Sequence, residues 1–214
     1  DNLRQQAAMW QAMLMSAGLQ PSKQIIINGF ITIGGQKISK SLGNIIDPFE
    51  LVKDYGVDAL RYFLGRELTL FEDSDFTMER FKEAYNANLA NGLGNLANRI
   101  LKMSSVHITN PFSISKTPLP PEFVDYLEKY EINKAFDFVW NKISEADLFI
   151  QKTEPFKLIK IDKNKAVEII EELLVKLERI ADMLEFIIPF TATTIKELIK
   201  ENKFPLKPLF PRKD

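Results

Sequence analysis

Tyr85-Asn86-Ala87-Asn88-Leu89-Ala90-Asn91-Gly92-Leu93-Gly94-Asn95-Leu96-Ala97-Asn98-Arg99-Ile100-Leu101 carries two patterns at once. Tyr85, Leu89, Leu93, Leu96, Ala97, Ile100 and Leu101 fall on one broad apolar face, so a helix from about Thr77 to Met103 belongs in a bundle with that face inward. The opposite face is unusual. At about 100° per residue, Asn88, Asn91, Asn95, Asn98, Arg99 and Lys102 fall within roughly 60° of Asn95. Asparagine is a weak helix former, and Gly92 and Gly94 each cost about 1 kcal/mol relative to Ala. Two explanations fit. The amides and guanidinium can meet base edges that unpaired nucleotides expose, or the asparagines cap neighbouring helices while the glycines permit close packing.

The helical period persists downstream. Ser104 to Pro121 reads as a linker, because Asn110-Pro111 and the cluster Pro118, Pro120 and Pro121 break a helix. Ile132, Ala135, Phe136, Val139, Trp140, Ile143 and Ala146 mark a further bundle helix continuing to about Gln151, with Trp140 in the core. After Glu154-Pro155-Phe156, Asp162 is placed to cap a long helix that turns Ile169, Ile170, Leu173, Leu177, Ile180 and Leu184 inward. Pro189 ends it, and a last helix spans about Thr193 to Lys200. The basic residues beyond read as a solvated tail.

Upstream the pattern changes. Leu3, Ala7, Trp10, Met13, Leu14 and Ala17 recur at helical spacing, with Gly18 as the stop. Ile25-Ile26-Ile27 and Phe30 to Ile33 read as β segments, and Gly34-Gly35 suits a tight hairpin turn. Lys37-Ile38-Ser39-Lys40-Ser41 follows. Two compact ammonium charges on flexible stems, set among small hydroxyls, suit a loop that wraps a polyphosphate and releases it. A solvated surface turn fits the same five residues. Asp47-Pro48-Phe49-Glu50 then opens a helix with a cap, a first-turn proline and a capping-box glutamate. That helix runs to about Tyr55, breaks at Gly56 and resumes from Asp58 to Arg66. Asp58 and Arg61 read as a solvated pair, with contact to RNA as the alternative.

Composition narrows the function classes. A chain of 214 residues with 45% hydrophobic content can bury a core and a smaller appended piece. Lys and Arg total 28 against 29 for Asp and Glu, a net charge of -1, so any nucleic-acid contact relies on local patches. The absence of cysteine excludes disulfides and thiolate zinc sites, and is compatible with a reducing cytoplasm. No apolar run reaches membrane-spanning length, which argues for a soluble protein and against a membrane partner. One helix and a short β unit cannot close a sheet. With no initiator Met, the expectation is the carboxyl end of a larger α/β domain, followed by helices.

From Ile27 to Leu64 the chain reads Ile-Asn-Gly-Phe-Ile-Thr-Ile-Gly-Gly-Gln, the KISKS loop, Leu-Gly-Asn-Ile-Ile-Asp-Pro and then Tyr-Gly-Val-Asp-Ala-Leu-Arg-Tyr-Phe-Leu. This resembles the second signature region of class I aminoacyl-tRNA synthetases, most closely the methionyl-tRNA synthetases. Ile38 stands where that loop usually has Met. The resemblance continues through Asp73-Ser74-Asp75-Phe76, Asn86 to Asn91, Gly94 to Arg99 and Pro208-Leu209-Phe210-Pro211-Arg212.

The resemblance implies a mainly α chain. Residues 1-46 would end a Rossmann-type α/β catalytic domain and carry the ATP loop, 47-75 would be a connective stem-contact region, and 76-214 a helical anticodon-binding bundle. It implies ATP-dependent activation of methionine and its transfer to tRNA(Met), with Mg2+ accompanying ATP and no protein-bound metal in this chain. Lys37 and Lys40 would act on the triphosphate, with Ile38, Ser39 and Ser41 shaping the loop. Gln6, where many relatives have His, and Trp10 would line the methionine pocket, although Trp10 also reads as a core aromatic.

Asn95 and Arg99 would read the anticodon. Phe156, in Pro155-Phe156 where relatives have Pro-Trp, would stack on a base or simply plug the bundle. The family's HIGH-type motif belongs to a nucleotide-binding half that would precede this chain, and the single His107 reads as a packing residue. Another class I synthetase, or a standalone tRNA-binding helical module, remains an alternative.

Overall fold

The computed structural model of the chain describes residues 2–38, 45–109 and 117–213. Helix α1 covers 2–16, with a π-helical stretch Gln5–Met9 between α-helical turns. Gly18 follows at φ 72°, the left-handed stop its position predicts. Strands β1 (Ile31–Ile33) and β2 (Gln36–Lys37) pair antiparallel through Gly34 and Gly35. Their φ values of 60° and 72° are what a two-residue turn matching strand twist requires.

Strand β3 (Ser74–Phe76) lies parallel to β1 on its other edge, giving the order β2-β1-β3 with Thr32 opposite Asp75. Sequence reading missed it, because Ser-Asp-Phe has no alternation to detect. It also placed a strand at Ile25–Ile27, but those residues are exposed and outside the sheet. Their β propensity finds no ladder partner among the described residues.

Helix α2 (Pro48–Tyr55) starts as expected, with Asp47 accepting from Phe49 N at 2.8 Å. The capping box does not close. Glu50 pairs instead with Lys53 at 3.5 Å. Helix α3 covers 57–67 and ends in a π-helical stretch, Phe63–Glu67. Helix α4 covers 78–107, capped by Thr77. Its middle, Tyr85–Gly94, is π-helical. The 100° arithmetic of the asparagine stripe therefore fails before Asn95, since an i→i+5 turn is wider than an α turn.

The predicted linker is shorter than the sequence suggested. Helix α4 runs to His107, and Pro121 opens α5 (Pro121–Glu128), because proline breaks a helix from within but fits its first position. Then come α6 (Ile132–Thr153), α7 (Pro155–Leu158), α8 (Lys163–Ile187) and α9 (Pro189–Glu201). Asp162 caps α8 by accepting from Lys165 N at 3.0 Å, as expected. The last helix begins at Pro189 rather than Thr193, again with proline at its first position. One core runs from Leu51 through α4, α6, α8 and α9 to Phe210, and Trp140 is buried in it. No described helix is long and apolar enough to cross a membrane.

The basic residues Lys203, Lys207 and Arg212 of the tail are exposed, as expected, but the tail that carries them is anchored. Phe210 is buried, Tyr85 donates to Pro211 O at 2.9 Å, and the Asn86 side chain bonds both backbone groups of Lys213. Asp58 and Arg61, by contrast, are not an exposed pair. Arg61 Nε donates to Ile187 O at 2.8 Å, the last residue of α8. Asp58, only 5% exposed, accepts from Thr191 N at 2.6 Å and Thr191 Oγ1 at 2.7 Å, in the first turn of α9. The residue before α9 is Ile188, which has no side-chain acceptor, so α3 supplies the missing cap.

Replacing Asp58 by Ala should leave that buried N–H without a partner and cost about 2 kcal/mol. Thermal unfolding of Asp58→Ala is expected about 4–8 °C below the parent. An unchanged Tm would mean that the α9 terminus is satisfied without Asp58.

Candidate phosphate loop and nucleic-acid interface

Strand β2 ends at Lys37, whose Nζ lies 4.8 Å from the Phe30 ring centroid. Ile38 is exposed, and Ser39, Lys40 and Ser41 lie outside the described residues. The base of the loop is braced by the segment around β3. Asp75 Oδ1 accepts from Gly35 N and from Thr32 Oγ1, each at 2.8 Å. Asp73 Oδ1 accepts from Phe30 N at 2.7 Å, and Gly29 N donates to Leu70 O at 2.9 Å. A Cβ at Gly29 would stand 2.0 Å from the Glu72 carbonyl oxygen, so only glycine allows the two chains this close.

The Gly35 N–H, then the Thr32 hydroxyl, hold the Asp75 carboxyl below the usual carboxylate range, with Arg80 contributing less. The Lys37 strand is thus gripped by a carboxylate that stays charged. Asp73, Asp75 and Thr32 are what sequence reasoning missed here. Only the resemblance had drawn attention to Asp73 and Asp75.

Gln6 and Trp10 lie on α1, both exposed. Gln6 sits in the π-helical stretch, and its carbonyl accepts from Gln11 Nε2 at 2.9 Å. Gln11 Oε1 in turn accepts from Ser22 N at 2.8 Å, which folds the following turn back along the helix. Trp10 is 44% exposed among the described residues. Met9, Met13 and Met15 are exposed beside it.

Further along the chain, Asn95 is exposed where α4 returns from π to α winding. Arg99, one turn further on, forms an ion pair with Asp147 of α6. Gln151 Nε2 donates to the second oxygen of Asp147 at 2.6 Å. Asn88 turns back to Ala84 O at 3.3 Å, a local bond. Phe156 is 48% exposed on α7, just past the end of α6, where Glu154 takes a left-handed φ of 41°. The structure therefore brings Arg99 onto the helix that leads to Phe156. Sequence reading missed Asp147 and Gln151, although an acid and an amide four apart beside an assigned apolar face were a visible signal. No group of three or more His, Asp or Glu side chains suited to a metal occurs among the described residues.

The profile of the family described as "tRNA synthetases class I (M)" matches residues 1–101. The Methionine--tRNA ligase of Rickettsia typhi is 36% identical over 208 residues, covering 90% of this chain and 41% of that protein. The Methionine--tRNA ligase of Thermosynechococcus vestitus is 54% identical over 104 residues, or 49% of this chain and 20% of that protein. Among solved structures, Mycobacterium tuberculosis methionyl-tRNA synthetase in complex with methionyl-adenylate superposes with a TM-score of 0.77 at 27% identity, covering 98% of this chain and 48% of that one. The chain spans about two fifths of the length of the curated relatives it matches. In its mainly α fold and over nine tenths of its length, the chain is similar to part of the methionyl group of class I tRNA synthetases.

Proposed function

We propose that this chain carries the ATP loop and the anticodon-binding face of an enzyme that joins methionine to tRNA(Met). In that reaction the methionine carboxylate attacks the α-phosphorus of ATP and pyrophosphate leaves. A terminal ribose hydroxyl of the tRNA then attacks the acyl carbon and AMP leaves. Residues 1-46 end the catalytic domain, 47-75 connect, and 76-214 bind the anticodon. Lys37 and Lys40 follow the charge that builds on departing pyrophosphate, where an ammonium is worth most in the transition state. Mg2+ enters with ATP as part of the substrate. Gln6 and Trp10 belong to the methionine pocket.

One observation supports this reading above the others. The short strand that grips the Lys37 hairpin through Asp75 leads within two residues into α4, the helix that bears Asn95 and Arg99. A phosphate loop and an RNA face so joined suit an enzyme whose two substrates are a nucleotide and a nucleic acid.

In the natively encoded protein, Lys40→Ala should slow methionine-dependent pyrophosphate exchange roughly a hundredfold, corresponding to about 3 kcal/mol, with much less change in ATP binding. Unchanged exchange removes Lys40 from the chemistry. Because the folded carboxyl of Asp75 titrates below its unfolded value, its contribution to stability is present above the usual carboxylate range and lost as pH falls through the folded pKa. Asp75→Ala should therefore unfold at lower urea than the parent at neutral pH, and the two midpoints should converge in acid. A constant difference across that range would contradict the bracing role.

Phe156→Ala should lose about tenfold or more in the specificity constant for charging while exchange without tRNA is intact. Phe156→Trp should charge at least as well as Phe, since any aromatic face stacks. Charging unaffected by Phe156→Ala would make Phe156 a plug rather than a platform.

A further inference from the structure

We propose that Asp147, held by Gln151, is a positioning residue that aims Arg99 at the edge of an unpaired base and withholds it from the phosphate backbone, an inference that rests on α4 being an RNA face. The two partners come from different helices and are each about one third exposed, with side-chain values of 33% and 35%. An exposed pair of this kind contributes little to stability. Its effect is geometric.

Arg99 Nη1 is taken by Asp147 Oδ1, and Asp147 Oδ2 is taken by Gln151 one turn along α6. The carboxylate is therefore anchored from its own helix before it meets the arginine. A guanidinium has five N–H donors in a rigid plane, so fixing one nitrogen orients the others. Nε and Nη2 have no partner among the described residues.

The charge is also compensated in place. A lone arginine is drawn to any phosphate within reach, whereas one already paired with a carboxylate offers directed donors and little net attraction. Two directed donors match two adjacent acceptors on a base, as O2 and N3 of an unpaired cytosine present them. Asn95, exposed one turn earlier on the same helix, adds an amide that both donates and accepts. The ligand class is a single-stranded loop whose unpaired base offers paired acceptors. Asp147 is what separates reading that base from clinging to the backbone beside it.

The test measures binding of the natively encoded protein to an RNA hairpin bearing the methionine anticodon and to hairpins with one anticodon base changed, across a series of salt concentrations. Arg99→Ala should weaken binding to the cognate hairpin by about tenfold or more with little change in the salt slope, as expected for lost base contacts. Asp147→Ala should cut the preference for the cognate hairpin by about tenfold and steepen the salt dependence, because the freed cation now finds phosphate. Asp147→Asn, which keeps the side-chain shape, should do the same and carries the test if the alanine variant fails to fold. The double variant Arg99→Ala/Asp147→Ala should discriminate no worse than Arg99→Ala alone.

If Arg99→Ala weakens binding while both Asp147 variants keep full discrimination and the parent salt slope, the positioning role is overturned and the RNA face stands. If Arg99→Ala binds like the parent, the RNA face itself is overturned, and this inference with it.

Discussion

Where α8 gives way to α9 the chain turns with only Ile188 between the helices, and the backbone there loses its intrahelical partners on both sides. The last carbonyls of α8 and the first N–H groups of α9 must be satisfied from outside, because a buried polar backbone group without a partner costs as much as a lost hydrogen bond. Ile188 and Pro189 carry no polar side chain. Arg61 and Asp58, near one another on α3, meet the two needs with matched signs: a cation at the negative end of one helix and a carboxylate at the positive end of the next. Any movement of α3 relative to the carboxyl-terminal helices would strand these groups. The corner therefore fixes α3 onto the junction of α8 and α9.

A second anchor works beside it. Arg66, in the π-helical end of α3, donates to the Tyr62 hydroxyl at 2.8 Å and to Asp137 of α6 at 3.0 Å, and lies 5.2 Å from the Trp140 ring. Asn133 of α6 takes up the carbonyls of Arg66 and Leu68 that the end of the helix leaves open. Helix α3 is thus held by α6, α8 and α9 together, while β3 just after it grips the hairpin of Lys37. The carboxyl-terminal tail completes the arrangement from the other side. Tyr85, whose hydroxyl burial and then Tyr55 push up to about 12, remains a donor at any ordinary pH and holds Pro211, while Asn86 pairs with the backbone of Lys213.

What could be read from the sequence follows from what is local. The apolar faces of α4, α6 and α8, the Asp47 and Asp162 caps, and the Gly34-Gly35 turn each depend on residues a few positions apart, and each is found where its pattern put it. The failures share a cause as well. Asp58 with Thr191, Arg61 with Ile187 and Asn86 with Lys213 join residues 133, 126 and 127 positions apart. An Asp and an Arg at helical spacing look like a surface pair from sequence, because nothing local reveals that two helix ends from far along the chain will arrive above them. Strand β3 was hidden for the same reason, since its partner β1 lies 43 positions away. At the site, Lys37 stood out in the sequence as part of a residue pattern. The carboxylates that brace the hairpin and aim Arg99 were not, since their meaning comes from the chain they face.

The π-helical stretch Tyr85–Gly94 sets how α4 meets the core on one side and solvent on the other. The sequence presented asparagines and glycines as a cost that a structural helix would avoid, and the cost was reckoned for α winding. In the wider turn the interior residues Leu89 and Leu93 still reach the core, while Asn86 meets the tail and Asn88 bonds within its own helix. Winding returns to α at Asn95, so Asn95 and Arg99 stand one regular turn apart on the far side of the irregularity. A widened turn shifts the phase of everything after it relative to everything before. The same apolar face that seats the first half of α4 on the core can thereby leave Asn95 exposed and set Arg99 against α6. With a net charge of -1 the chain has no general attraction for a polyanion.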